Sequence, residues 1–141
     1  MFGWPIRACI TRSWVLASLL AMTADCVAGS QIGTTTTVIS FANPSSPGQS
    51  VEFEAVTNGY FPSGTVTFSV GTTVLCSAAP VMTYSSTGIA DCVTSGFTQG
   101  MHQVAASYSG DAANEPSDGC VMQSVGSDSI FGGWFDCWVA P

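Results

Sequence analysis

The chain has 141 residues, 46% hydrophobic and only 8% charged, which is one domain's length with enough apolar material for a single core. Its net charge of −7 is unevenly placed: both basic residues, Arg7 and Arg12, stand before Ser13, and of nine acids only Asp25 precedes Gly29. From Gly29 onward no Lys or Arg is present to displace phosphate counterions, hold an anionic membrane surface or fork onto a phosphate or carboxylate. Nucleic-acid binding, polybasic membrane attachment and Arg-mediated anion recognition are excluded, and packing, hydrogen bonds and disulfides must hold the fold.

The first segment joins those two cations to a short apolar run, Trp14–Met22 (WVLASLLAM), too short to span a bilayer. Small residues follow, Cys26-Val27-Ala28 fitting cleavage before Gly29, and Ala28-Gly29-Ser30 fitting cleavage before Gln31. Residues 1–28 are therefore read as a secretory signal peptide and 29–33 as a short linker. No later stretch is apolar enough to cross a membrane, so the mature chain is expected to be secreted, at the cell surface or in the periplasm. Export exposes it to an oxidising compartment. Cys9 and Cys26 fall in the signal, and the remaining four, Cys76, Cys92, Cys120 and Cys137, suggest two disulfides. Three pairings are open. Cys76 and Cys92 flank a turn-rich segment and suit a cross-strand link, which leaves Cys120 with Cys137 to pin the tail. Zinc is the rival use, but there is no CxxC and the single histidine is expected to face inward.

In chain order, Thr34–Ser40 (TTTTVIS) is β-branched and strand-like. Asn43–Gly48 is a turn, since Pro44 and Pro47 remove two ladder donors. Gln49–Thr57 alternates, with Val51, Phe53 and Ala55 inward and Glu52 and Glu54 outward. The loop Asn58–Ser63 leads to Gly64–Val70, where Val66, Phe68 and Val70 point in. Gly71 separates this from Thr72–Ser77. Met82–Gly88 reads as polar and turn-like, and Ile89–Thr94 as a strand. Gly100–Asp111 (GMHQVAASYSGD) has period two: His102, Val104, Ala106 and Tyr108 on one face, Gln103, Ala105 and Ser107 on the other. Asp118–Val125 is the last strand, and residues 126–141 form a Gly/aromatic tail. About seven short strands, with no helical period after the signal, predict an all-β antiparallel sandwich.

TTTTV (Thr34–Val38), NPSSPGQSVEFEA (Asn43–Ala55), GTVTF (Gly64–Phe68) and GMHQVAASYSGD (Gly100–Asp111) resemble, in order and spacing, the bacterial Ig-like repeat domains of secreted and surface proteins. The resemblance spans residues 34–125. It implies an immunoglobulin-like sandwich used as a structural or adhesive module, with no catalytic residues and no cofactor to carry over. The segments around Cys76 (LCS) and Cys92 (ADC) resemble a cysteine-bearing variant of a hairpin in that family.

Three residues invite a chemical reading and receive a structural one. His102 suggests a triad with Asp111 and a serine, but an inward position beside Val104 and Ala106 suits a core histidine bonded to backbone, and nothing marks a base or an oxyanion site. Tyr108, before a turn, is expected to bond back to the chain as a corner lock. Asp111 is expected to cap the Ser109–Ala112 turn; calcium ligation with Glu115 or Asp118 is the rival, without a D-x-D-x-D loop to favour it. Glu52 and Glu54 read as a solvated sheet face. The tail aromatics Trp134, Phe135 and Trp138, with Phe131, either pack on the sandwich or contact a protein or glycan partner. The expectation is a non-enzymatic exported module; the alternative is a small ligand- or carbohydrate-binding module that uses those aromatics.

Overall fold

The computed structural model describes residues 29–126. Residues 1–28, expected to be a signal peptide, and residues 127–141, with Cys137 and the aromatics Trp134, Phe135 and Trp138, lie outside the described residues. Eight strands are formed: β1 (Thr35–Ser40), β2 (Val51–Asn58), β3 (Thr65–Val70), β4 (Thr73–Pro80), β5 (Met82–Tyr84), β6 (Thr87–Thr94), β7 (Gly100–Tyr108) and β8 (Ser117–Val125). They build two four-stranded antiparallel sheets, ordered β1-β2-β6-β5 and β4-β3-β7-β8.

The alternation seen in the sequence is the reason the sheets stack. Val51, Phe53 and Ala55 of β2 and Ala90 and Cys92 of β6 turn to one side. Val66 and Phe68 of β3, with Val104, Ala106 and Tyr108 of β7, meet them from the other sheet, all nearly or fully buried. In register, Val66 faces Tyr108, Phe68 faces Ala106 and Val70 faces Val104, so β3 and β7 offer one continuous apolar surface. Phe97, from the β6–β7 connection, closes this core edge-on to Phe53, with ring centres 5.9 Å apart.

The eighth strand, β5, lies in a segment read as a turn. Its three residues are all exposed and show no alternation; pairing with Ile89, Gly88 and Thr87 of β6 makes them a strand. The Cys76–Cys92 disulfide is present, with Cα atoms 5.9 Å apart, but it is not the bridge of a hairpin. Cys76 sits on β4 and Cys92 on β6, in opposite sheets, with β5 between them in the chain, so the bond ties sheet to sheet. Register shifts in the β3–β4 pairing turn Cys76 opposite Phe68 and so toward the interior. Cys120, half-buried on β8, is also disulfide-bonded. Its expected pairing with Cys137 falls outside the described residues.

The other rim is closed by a polar seam between β1 and β8. Within residues 29–33, expected as a linker, Ile32 is held at the seam's end: the Ile32 amide donates to the Ala113 carbonyl, and the Glu115 amide to that of Ile32, each at 2.8 Å. Thr34 and Thr36 hydroxyls both meet Ser117 Oγ, at 2.7 and 2.8 Å. Further along, the Ser40 hydroxyl donates to Oε1 of the fully buried Gln123, whose amide donates to Ala42 O. Ser45 bonds Ser124 and Gly126. Gly119 of β8 is what lets β1 come this near, because a Cβ there would run into the Thr36 carbonyl.

Candidate functional site at the loop end

At one end of the sandwich, the β2–β3 loop (59–64), the β5–β6 turn (85–86) and the β7–β8 loop (109–116) gather with the start of the described chain. Asp111 organises them. Its Oδ2 accepts from the Ser63 amide at 2.7 Å, the Ser63 hydroxyl at 3.0 Å and the Tyr108 hydroxyl at 2.8 Å. Its Oδ1 accepts from the amides of Ala113 and Asn114 at 2.8 and 2.9 Å, and the Asn114 side-chain amide donates to both oxygens. One carboxylate thus welds the β2–β3 loop to the β7–β8 loop. Tyr108 bonds back to the chain through the Asp111 side chain. The amides capped are those of Ala113 and Asn114, in a turn over 111–114 that is shifted by two residues from the Ser109–Ala112 turn expected from sequence.

Partial burial would by itself raise the Asp111 pKa. The Ser63 amide, the Asn114 side chain, the Ala113 amide and the Tyr108 hydroxyl outweigh it and hold the carboxyl far below the usual carboxylate range. For Tyr108 every leading influence acts in one direction: burial, then the hydrogen bond to Asp111 and its charge, push the phenol well above its ordinary value.

Asn114 is the residue that the sequence reading missed. It is fully buried; its Oδ1 accepts from the Tyr60 amide at 2.7 Å and its Nδ2 donates to the Tyr60 carbonyl at 2.9 Å. Gly59 makes room for it, since a Cβ there would lie 2.5 Å from Asn114 Oδ1. The available signal was Asp111 and Asn114 three apart in a Gly/Pro-bounded loop, the chemistry of an Asx turn. Held from below in this way, Tyr60 and Phe61 project outward, 58% and 56% exposed, with their rings edge-to-face at 5.0 Å. Phe61 takes a left-handed φ of 46°, a conformation that costs a non-glycine residue on the order of 1 kcal/mol. Beside Tyr60 lies a shallow groove of about 480 Å³ lined by Ile32, Gly33, Thr35, Asn58 and Ser86.

His102 is at the opposite end. It is half-buried rather than a core residue, because β7 leaves the sandwich there; Nε2 donates to the Thr98 carbonyl at 2.8 Å and the ring lies 5.2 Å from that of Phe97. His102 and Tyr108 are six positions apart on β7, roughly 20 Å at the usual rise. The structure therefore does not bring His102 and Asp111 together. Glu52 and Glu54 stand on the outer face of β2, and Asp118 accepts from the Ser107 hydroxyl. Among the described residues no three His, Cys, Asp or Glu side chains are placed to hold a metal ion, and no helix is long and apolar enough to cross a membrane.

Two antiparallel four-stranded sheets in this order, locked at the rims and displaying loops at the ends, define an immunoglobulin-like β-sandwich module. Residues 24–126 match the family described as bacterial Ig-like domain, group 3, and the chain belongs to that family. Membership supports a structural surface module. No curated protein sequence matches the chain. A crystal structure of BslA, described as a bacterial hydrophobin, is similar over 70% of this chain and 99% of its own, at 7% identity and a TM-score of 0.40. A likeness that slight carries no argument about function.

Proposed function

We propose that the mature chain is a non-enzymatic, exported Ig-like module that serves as a structural and adhesive unit at the cell surface or in the extracellular space. The observation that carries this reading is how the reactive side chains of the described region are used. Asp111 is saturated by donors from its own chain and His102 is occupied by Thr98 O, while Tyr60 and Phe61 are held outward on a braced loop. The inter-sheet disulfide favours an oxidising compartment. An exposed aromatic pair on a fixed loop is suited to contact, since ordering it on binding sacrifices little conformational freedom. The test is expression of the full chain in a bacterial host, with mass spectrometry of the extracellular and surface fractions and protease shaving of intact cells. The expected result is a protease-accessible product starting near Gly29 or Gln31. A chain retaining Met1 and shielded inside the cell refutes the proposal.

A further inference from the structure

The outer face of an antiparallel sheet in a sandwich is ordinarily polar. The outer face of β1, β2 and β6 is not. Of its cross-strand rows, two neighbouring ones carry both charge and apolar bulk. In one, Glu52 lies between Phe41 and Val93, the Phe41 amide continuing the ladder to the Glu52 carbonyl; in the other, Glu54 lies between Ile39 and Asp91. Phe41 and Val93 are each 62% exposed and Ile39 42%. Three large apolar side chains and three carboxylates are thus grouped on two neighbouring rows of a regular pleated surface. Glu54 and Asp91 are directly opposite, an arrangement of like charges that weakens a strand pair. From Gly29 onward the chain has no Lys or Arg to neutralise them.

We infer that this face is a docking surface for a protein segment that presents Lys or Arg side chains interleaved with apolar ones. Charge complementarity selects that occupant. A second copy would bring carboxylate against carboxylate, since the mature chain carries acids without basic side chains. The carboxylates are spread along two strands rather than converging on one point, which suits separate organic cations better than one metal ion. The apolar neighbours exclude water around each ion pair and strengthen it, the arrangement of a binding hot spot. The inference rests on the reading of the chain as an adhesive module and names the chemistry of what it would adhere to.

The test uses the processed chain and fluorescein-labelled peptides of about twelve residues that alternate Lys or Arg with Val or Leu, in the size range of one strand pair. Matched peptides carry Glu for the basic residues, or Ser for the apolar ones. Anisotropy is expected to show binding of the basic–apolar peptide alone, weakened at least tenfold by Glu52→Gln/Glu54→Gln/Asp91→Asn and likewise by Phe41→Ser/Val93→Ser. Val74→Ser, on the other sheet, should change nothing. Should the serine variant fail to fold, the amide variant, which removes charge without removing packing, still decides. Equal binding of basic and acidic peptides, no binding at all, or insensitivity to the amide variant overturns the inference. So does concentration-dependent self-association of the wild type that Phe41→Ser/Val93→Ser abolishes, because a second copy then occupies the face. Export and shaving are scored separately, so a surface-exposed chain that ignores the peptide defeats this inference alone.

Discussion

Asp111→Asn changes one oxygen to an amide with almost no change in volume, and the loop end should register it strongly. Whichever position the new NH₂ takes, it meets donors: the Ser63 amide and hydroxyl with the Tyr108 hydroxyl on one side, the Ala113 and Asn114 amides on the other. A hydrogen bond to a charged group is worth roughly 1.5–3 kcal/mol net, but these bonds share one acceptor and the site is half-exposed, so water recovers part of the loss. Two or three donors disrupted and discounted in this way give a destabilisation of about 2–4 kcal/mol, or roughly 10–25 °C in Tm for a domain of this size. Tyr108→Phe removes a single donor and should lose only about 1 kcal/mol.

The dependence on pH separates this account from a generic packing defect. The folded Asp111 pKa is depressed, so its stabilisation is present above the unfolded value, about 3.9, and is lost as pH falls toward the folded pKa. The folded Tyr108 pKa is raised, so its contribution is intact below about 10 and is lost as pH rises beyond that. Urea unfolding should therefore find the gap between wild type and Asp111→Asn at full height from about pH 5 to 9 and narrowing below about pH 4. A gap under about 0.5 kcal/mol at pH 7, or one that stays constant to pH 2, would refute the reasoning.

Removing the inter-sheet bond by Cys76→Ser/Cys92→Ser, across a sequence separation of 16, should destabilise the chain by about 3 kcal/mol, read by urea unfolding. Reductant should destabilise the wild type by at least as much, because it also opens the bond at Cys120, and in the double variant it should expose that second contribution alone. Gly119→Ala should cost about 3 kcal/mol or more, because its Cβ meets backbone that only a shift of β1 can move away. Hydrogen exchange should then show β1 amides losing protection ahead of those in β2 and β6. Uniform loss across the sheet would count against the close approach of β1 and β8 as the cause.

Strands with a buried and a wet face were legible because period two leaves its mark on composition: Val51, Phe53 and Ala55, or Val104, Ala106 and Tyr108, are apolar at alternate positions and meet across the core. Where a strand has no buried face the mark is missing, and Met82–Tyr84 became a strand only by pairing with β6. Alternation also assigns direction without depth. It placed His102 inward, yet His102 is only half-buried, while Gln123 of β8 is fully buried among Ser40, Ala42 and Ser45. The sheet that received Cys76 was hidden for another reason, since the register shifts opposite β3 break the period that would have revealed it. Asn114 is a polar residue in a polar loop, and its burial follows from a partner, Tyr60, 54 positions away.

How the rims are closed bears on how such a module can meet anything else. A strand edge is the usual template for adding another chain. Here β1 and β8 are stitched to one another, with Ile32 bridging Asn114 and Ser45 bridging Val125 in parallel fashion at the two ends of the seam. At the far rim β5 is only three residues long, and β4 is interrupted by register shifts, a left-handed Ala78 and a terminal Pro80. Edge addition is thereby discouraged on both sides, and contact is directed to loop ends and sheet faces. Tyr60 and Phe61 occupy the first kind of place, and the acid-studded apolar rows of β1, β2 and β6 the second. If the edges were instead the working surface, Gly119→Ala would loosen β1 and increase strand addition and self-association. With the faces and loops as the working surface, it should lower stability while leaving peptide affinity of the folded fraction unchanged.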